Sequence, residues 1–369
     1  MTRRFAGSER HAIELANAQS QDHEVTLFLA KAAVEAREDG CLQHVGPRVR
    51  VEVVGNYAGF LQARSRLARL RPDVAHAHLS RGCRALRPLR GLCLRVATLH
   101  IGYKPQQHAA LDALIAIAPW QLEAVPPALR RHSVQIDNWT LPKRAAPDAR
   151  ARIRAANGIP ADAFVIGALG RAERNKGFDL LIRAFALADL GKQAWLLVAG
   201  GGSELARLRA QAGPRVLLPG FVPNPEDWLA ACDAFVSAAR DEPFGLVMLE
   251  AMNAGLPIMA TATKGASHLA GAIGSPLLPL DDVGALARGL RALQAGGGVH
   301  ALVENPWRVR PGVVGKDQLH ALCDLPQLQK QDVIDTPVYL VGDDQLHVHQ
   351  LRYVREVPGI VVLPSLHLD

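Results

Sequence analysis

The chain has 369 residues, 49% of them hydrophobic and 21% charged, enough to build two ordinary domains and too apolar for a disordered tail. Aromatic residues make up only 5%, which argues against a base-stacking nucleic-acid surface. No apolar run approaches the roughly 20 residues of a membrane span, and Met1-Thr2-Arg3-Arg4-Phe5 runs into polar sequence without the apolar core of a signal peptide. The five cysteines are scattered with no Cys-x-x-Cys, which fits a reduced, cytoplasmic setting and gives no metal or disulfide framework. Net charge is +7, but residues 1–145 hold 21 Lys and Arg against 12 Asp and Glu, whereas the remainder holds 21 against 23. The arginines clustered from Arg64 to Arg95 read either as solvated helix faces or as attraction to an anionic membrane surface or a phosphorylated acceptor.

In chain order, the first half alternates strands and helices. Strands are predicted at Glu24–Ala30, Val49–Val54, Asp73–His78, Val96–His100, Leu114–Ala118 and Val134–Asp137, with helices near Glu9–Gln19 and Phe60–Leu70. Ser8 is a candidate N-cap of the first helix. Pro142 to Pro147 reads as a linker. Strands resume at Phe164–Leu169, Trp195–Ala199, Arg215–Leu218, Ala234–Ser237 and Pro257–Ala260. The intervening helices fall near Gly177–Leu187, Glu204–Ala212, Glu226–Ala231, Gly245–Ala254 and Val283–Gln294. Continuous apolar strands alternating with helices imply parallel sheets covered on both faces. The expected class is α/β, with two doubly wound Rossmann-like domains, 1–145 and 146–298, facing a central cleft. An atypical extension, 299–369, follows, with strand-like runs at Val338–Val341 and Gly359–Leu363.

Two segments of the second domain carry chemistry. In Asp241–Pro257 a helix opens at Phe244-Gly245 and stops at Gly255. Its start presents backbone N–H groups from Phe244 to Val247, including Gly245 and Leu246, and the positive end of the dipole. Glu242 precedes it and Glu250 lies on it, eight residues on, so the two grip different parts of one elongated ligand. Carboxylates suit vicinal diols of a sugar or ribose. In Leu169–Phe185, Gly170 ends a strand and Arg171 and Lys176 follow on the loop, forming a clamp for a diphosphate that gains charge as it leaves. The glycine run Gly200–Gly202 reads only as a strand-to-helix turn.

Taken in order, these residues resemble glycosyltransferase family 4, the retaining family with the GT-B fold. The resemblance runs from about Gly7 to Gln294 and is strongest in the two-glutamate stretch Glu242 to Met252. It implies that Glu242 meets donor-sugar hydroxyls, that Glu250 meets the ribose, and that Phe221 and Val222 flank the nucleotide base. It further implies that Gly7 and Glu9 belong to a loop near the donor phosphate, and that His100, at a strand end, is the first-domain residue at the reacting centre. The implied activity is transfer of a sugar from a UDP- or GDP-linked donor to a cell-envelope glycan or lipid-linked acceptor, with no cofactor and no metal. Asp281-Asp282 and Asp343-Asp344 then read as surface charge.

Both ends depart from the family pattern. The first strand is absent or reduced to Thr2–Phe5, and Asp335–Asp369 resembles a piece of another glycosyltransferase's first domain. A non-catalytic nucleotide-binding partner subunit with the same fold is therefore the alternative. An epimerase on the same plan is disfavoured by the paired glutamates.

Overall fold

The computed structural model describes residues 7–35, 40–141, 143–273 and 277–295, with the strand backbones 338–340 and 360–362. Thr2–Phe5, Pro142, Trp307 and the Asp343-Asp344 pair lie outside the described residues, as does most of Asp335–Asp369. The chain divides into two compact units, Met1–Trp139 and Thr140–Asp369. Every strand pairing in both is parallel.

In the first unit the strands are β1 (Thr26–Ala30), β2 (Arg50–Val54), β3 (Val74–Ala77), β4 (Leu94–Leu99), β5 (Ala113–Ala116) and β6 (Val134–Gln135). They form two sheets, β1–β2 and β3–β4–β5–β6, in place of one continuous doubly wound sheet. Each sheet has its own core. Ile13, Leu29, Ala33 and Cys41 pack over the first, and Ala97, Leu99, Leu114 and Ala116 centre the second. The first helix spans Gly7–Gln19 and buries His11, Ala12, Ile13 and Ala16. Ser8 lies inside this helix and donates its hydroxyl proton to Glu9 Oε2 (3.0 Å), which corrects its reading as an N-cap. Short helices at Ser80–Leu86 and Pro119–Glu123 fill connections left blank by apolar periodicity.

Arginine use in this unit is largely internal. Arg95 is buried and grips Asp112 with two guanidinium nitrogens (2.9 and 2.7 Å), which lowers the Asp112 pKa. Arg66 pairs with Glu52, Arg84 stacks 4.1 Å from the Phe60 ring, and Arg81 donates to the Asn56 carbonyl. Much of the basic run therefore holds the fold together, with aliphatic stems packed and heads partnered.

The second unit holds β7 (Phe164–Leu169), β8 (Ala194–Ala199), β9 (Val216–Gly220), β10 (Ala234–Ser237) and β11 (Ile258–Ala260) in the order β11-β10-β7-β8-β9. β7 and β8 are buried almost throughout, as central parallel strands covered on both faces must be. The helix Phe178–Ala188 lays Phe178, Leu181, Ile182 and Phe185 on the sheet, an i, i+3, i+4, i+7 stripe. The helix Val283–Gln294 packs beside it through Leu286, Leu290 and Leu293. Its N-cap is Asp282, whose carboxylate accepts from Ala285 N at 2.8 Å. Asp282 thus has a structural task, and so does Asp281, which pairs with Arg240 at 2.6 Å. Asp281 is exposed and Asp282 partly so, surface charges that each have a partner. Beyond residue 295, β12 (Val338–Leu340) and β13 (Ile360–Val362) pair with each other.

Candidate functional site

The strand order of the second unit has one reversal point. From β7 the chain steps to β8 and β9 on one side, then returns to β10 and β11 on the other. The direction reverses between β7 and β10, and in open parallel sheets the ligand crevice lies beyond the strand C-termini at that reversal. The loop after β7 carries Gly170, Arg171 and Lys176, and the loop after β10 carries Glu242 and Gly245.

These two loops are fastened together. Arg240 N donates to Asn175 O (2.8 Å), and its guanidinium reaches both Asp179 oxygens (2.7 and 2.8 Å), Asp281 and the Arg174 carbonyl. Hydrogen bonding to Arg240 holds Asp179 below the usual carboxylate range and raises Arg240 in turn. At Gly177, φ is 65° and a Cβ would fall 1.8 Å from the Ala238 carbonyl oxygen, so only glycine permits the contact. Lys176 Nζ then meets Glu242 Oε2 at 2.5 Å, joining two residues 66 positions apart. Glu242 is buried, and its main-chain carbonyl accepts from Gly265 N (2.8 Å) at the start of the helix Lys264–Ile273. Arg171 is exposed beside this pair in sequence and makes no ion pair among the described residues.

The helix Leu246–Asn253 begins directly after Glu242-Pro243-Phe244. Gly245 is its N-cap at φ 107°, a left-handed conformation closed to other L-residues without strain. The amides of Leu246 and Val247 precede the first intrahelical donor, Met248 N, which bonds Gly245 O at 2.9 Å. They therefore point out of the first turn as free donors. Phe244 is buried, and Glu250 lies half-buried one turn along. After β9, Phe221 is 43% exposed while Val222 packs into the core beside Trp228.

The sequence reading missed part of this frame. The glycine run after β8 does more than turn the chain. A Cβ on Gly200 would sit 1.6 Å from Gly170 O, so the ends of β7 and β8 touch through backbone alone. Ser203 Oγ donates to Glu173 (2.7 Å) and ties the two loops again. The frequency of glycine at three adjacent strand ends (Gly170, Gly200 and Gly220) was the available signal.

In the first unit, His100 follows β4, as the sequence implies, but it is one of a group. Its Nε2 lies 3.3 Å from His78 Nδ1, and its ring centroid lies 4.9 Å from that of His11. Burial, then the charges of His11 and His76, press its pKa down to about 3. Glu9 is buried in the first helix. Gly7 opens that helix in open space, with nothing within 4 Å of an added Cβ.

Comparison with known proteins matches this architecture. Residues 5–140 match the model for Glycosyltransferase Family 4, and residues 149–293 match that for Glycosyl transferases group 1. The lipopolysaccharide core biosynthesis glycosyltransferase LpsD of Rhizobium meliloti (strain 1021) is 32% identical over 212 residues, 54% of this chain and 58% of that protein. The D-inositol 3-phosphate glycosyltransferase 1 of Catenulispora acidiphila is 33% identical over 177 residues, covering 43% and 40% of the two chains. The matches thus span roughly half the length of these curated relatives. Among solved structures, Anabaena Alr3699/HepE in complex with UDP and glucose has a TM-score of 0.67 at 20% identity, covering 90% of this chain and 97% of that one. WaaG, a glycosyltransferase involved in lipopolysaccharide biosynthesis, has a TM-score of 0.61 at 17% identity, covering 82% and 90%. With residues 5–140 and 149–293 matched by family models and the fold shared, the protein belongs to glycosyltransferase family 4, of the GT-B type.

Proposed function

We propose that this chain transfers a sugar from a UDP- or GDP-linked donor to a cell-envelope glycan or lipid-linked acceptor, with retention of anomeric configuration. The observation that carries the reading is the Lys176–Glu242 contact of 2.5 Å at the sheet's reversal point. A cation suited to phosphate and a carboxylate suited to sugar hydroxyls lie in contact there, and the helix Leu246–Asn253 starts close by in sequence, which supports the reading. Relatives named for lipopolysaccharide core synthesis support the choice of acceptor class, and the Anabaena neighbour holding UDP and glucose supports the donor class.

In this reading Arg171, Lys176 and the amides of Phe244 to Val247 take the pyrophosphate. Glu242 takes sugar hydroxyls, Glu250 the ribose, and Phe221 and Val222 the base, with Gly170 leaving room for the phosphates. The arriving pyrophosphate competes for the Lys176 ammonium, and the sugar hydroxyls replace it as donors to Glu242, so neither charge is left buried alone. The bond from the anomeric carbon to phosphate oxygen breaks as the bond to the acceptor oxygen forms. The acceptor's proton passes to the departing phosphate on the same face. Fixed cations stabilise the charge that develops there more than the charge already present in the donor.

The test is turnover on a panel of UDP- and GDP-sugars with Arg171→Ala and Lys176→Ala. Transfer or donor hydrolysis by the wild type, lowered by about 10²-fold or more in each variant, is expected. Near-normal rates in both variants sink the clamp. Nucleotide binding with no turnover on any donor favours a partner subunit instead.

A further inference from the structure

The resemblance singles out His100 alone, but the first unit gathers His11, His76 and His78 around it. β3 closes on His76-Ala77 and His78 follows it directly, and the two-residue period turns both rings to one face. β3 pairs with β4 in register, His76 opposite Val96 and Ala77 opposite Ala97, so His78 and His100 emerge from neighbouring strand ends. His11 comes across from the helix Gly7–Gln19. The three ring centroids stand 5.5 Å (His11–His78), 4.9 Å (His11–His100) and 5.5 Å (His78–His100) apart, a nearly equilateral triangle. One nitrogen from each ring lies within 4.8 Å of the other two.

We propose that His11, His78 and His100 form a binding site for a divalent transition-metal ion, with zinc the best match, leaving a fourth position open to water or ligand. Three features of the geometry support it. First, a tetrahedral ion with metal–nitrogen bonds of about 2.0–2.1 Å sets its ligand nitrogens about 3.3–3.4 Å apart. His78 Nδ1 and His100 Nε2 already stand 3.3 Å apart. Second, His11 is oriented as a metal-bound histidine is. Its Nδ1 lies 2.6 Å from Asn138 Oδ1 and its ring stacks 4.3 Å from Trp139. The amide oxygen can only accept, so Nδ1 carries the proton and Nε2 keeps the lone pair that a metal would take. Third, His76 is spoken for. Its Nε2 lies 2.8 Å from Thr98 Oγ1, and its ring backs His78 at 4.3 Å between centroids. That leaves three ligands, the number found in open zinc sites, and not four.

The state of the rings agrees with this geometry. Burial lowers the pKa of His11 and His78 and brings His100 down to about 3, so all three are neutral imidazoles at pH 7, the form that binds metal. The chain has 14 histidines, so a test must separate this cluster from adventitious binding elsewhere.

The probes are Zn2+ by calorimetry and Co2+ by visible absorption, on the full chain after treatment with chelator. One equivalent of Zn2+ should bind with micromolar affinity or better, and Co2+ should give the intense visible bands of a tetrahedral site. Both signals should vanish in His78→Asn and in His11→Asn, with folding checked by circular dichroism. Asn138→Ala keeps all three ligands and removes only the group that orients His11. It should weaken Zn2+ binding by about 10- to 100-fold. Octahedral Co2+ spectra, or Zn2+ affinity unchanged in His78→Asn and Asn138→Ala, would overturn the site. These readouts involve no sugar donor, so they stand or fall apart from the transfer activity.

Discussion

The two units solve the problem of holding polar groups at strand ends in opposite ways. The second unit uses permanent charge. Arg240 bridges Asp179 and Asp281, Lys176 meets Glu242, and glycines let loop backbones touch. The first unit uses neutral rings, with His11, His76, His78 and His100 packed together and kept uncharged by burial. A site of fixed charges is ready for an anion and indifferent to pH near neutrality. A site of free-base imidazoles is ready for a metal or a proton, and is exposed to acid.

The comparison breaks most readily at glycine. Gly200→Ala drives a Cβ into the Gly170 carbonyl at a φ of 147°, and should destabilise the second unit by about 3 kcal/mol in urea melts. Gly7→Ala meets open space at a helix start and should change stability by no more than about 0.5 kcal/mol. Equal effects would show that the 170–200 contact is not a constraint.

Acid should separate the units next. The histidine pKa values are lower in the folded state (about 4 for His76, about 3 for His100) than in the unfolded chain, near 6.5. Between those limits the unfolded chain binds more protons, so stability rises with pH there. It is full above about 6.5 and is lost as pH falls toward 4, at about 1.4 kcal/mol per pH unit for each proton. Asp179, held low by Arg240, loses its contribution only below about pH 4. With chelator present, amide exchange followed from pH 7 to 4.5 should show the first unit opening before the second. Simultaneous loss would contradict the assignment.

A smaller effect sharpens the packing account. Asp282→Ala removes the N-cap of the helix that covers Phe178–Ala188 and should cost about 1 kcal/mol in thermal melts, whereas Ser8→Ala, which removes no cap, should cost less.

Legibility followed the same divide. β7, β10 and the helix Val283–Gln294 sit on the residues expected, because each is an unbroken apolar run or stripe with a glycine or acidic boundary. The helix Ala149–Ala156 was hidden. No element was expected between the linker and Phe164, although Arg154 is buried against Asp233 and four carbonyls. Lys264–Ile273 was hidden by small residues that leave no stripe. Within the site, Lys176 and Glu242 were legible from their loops and resemblance, while Arg240 and Gly200 were not, since a tether or a close approach exists only once distant loops meet. His100 was singled out alone. His11 and His78 joined it only through a helix and a second strand, which no spacing in the sequence encodes.

Calorimetry of UDP and GDP against the wild type, Arg171→Ala and Glu250→Ala tests most directly whether the reversal point between β7 and β10 is a nucleotide site. The account predicts one-to-one binding of at least one of the two nucleotides, weakened about tenfold or more in each variant. No binding of either nucleotide, or the same affinity in all three proteins, would contradict it.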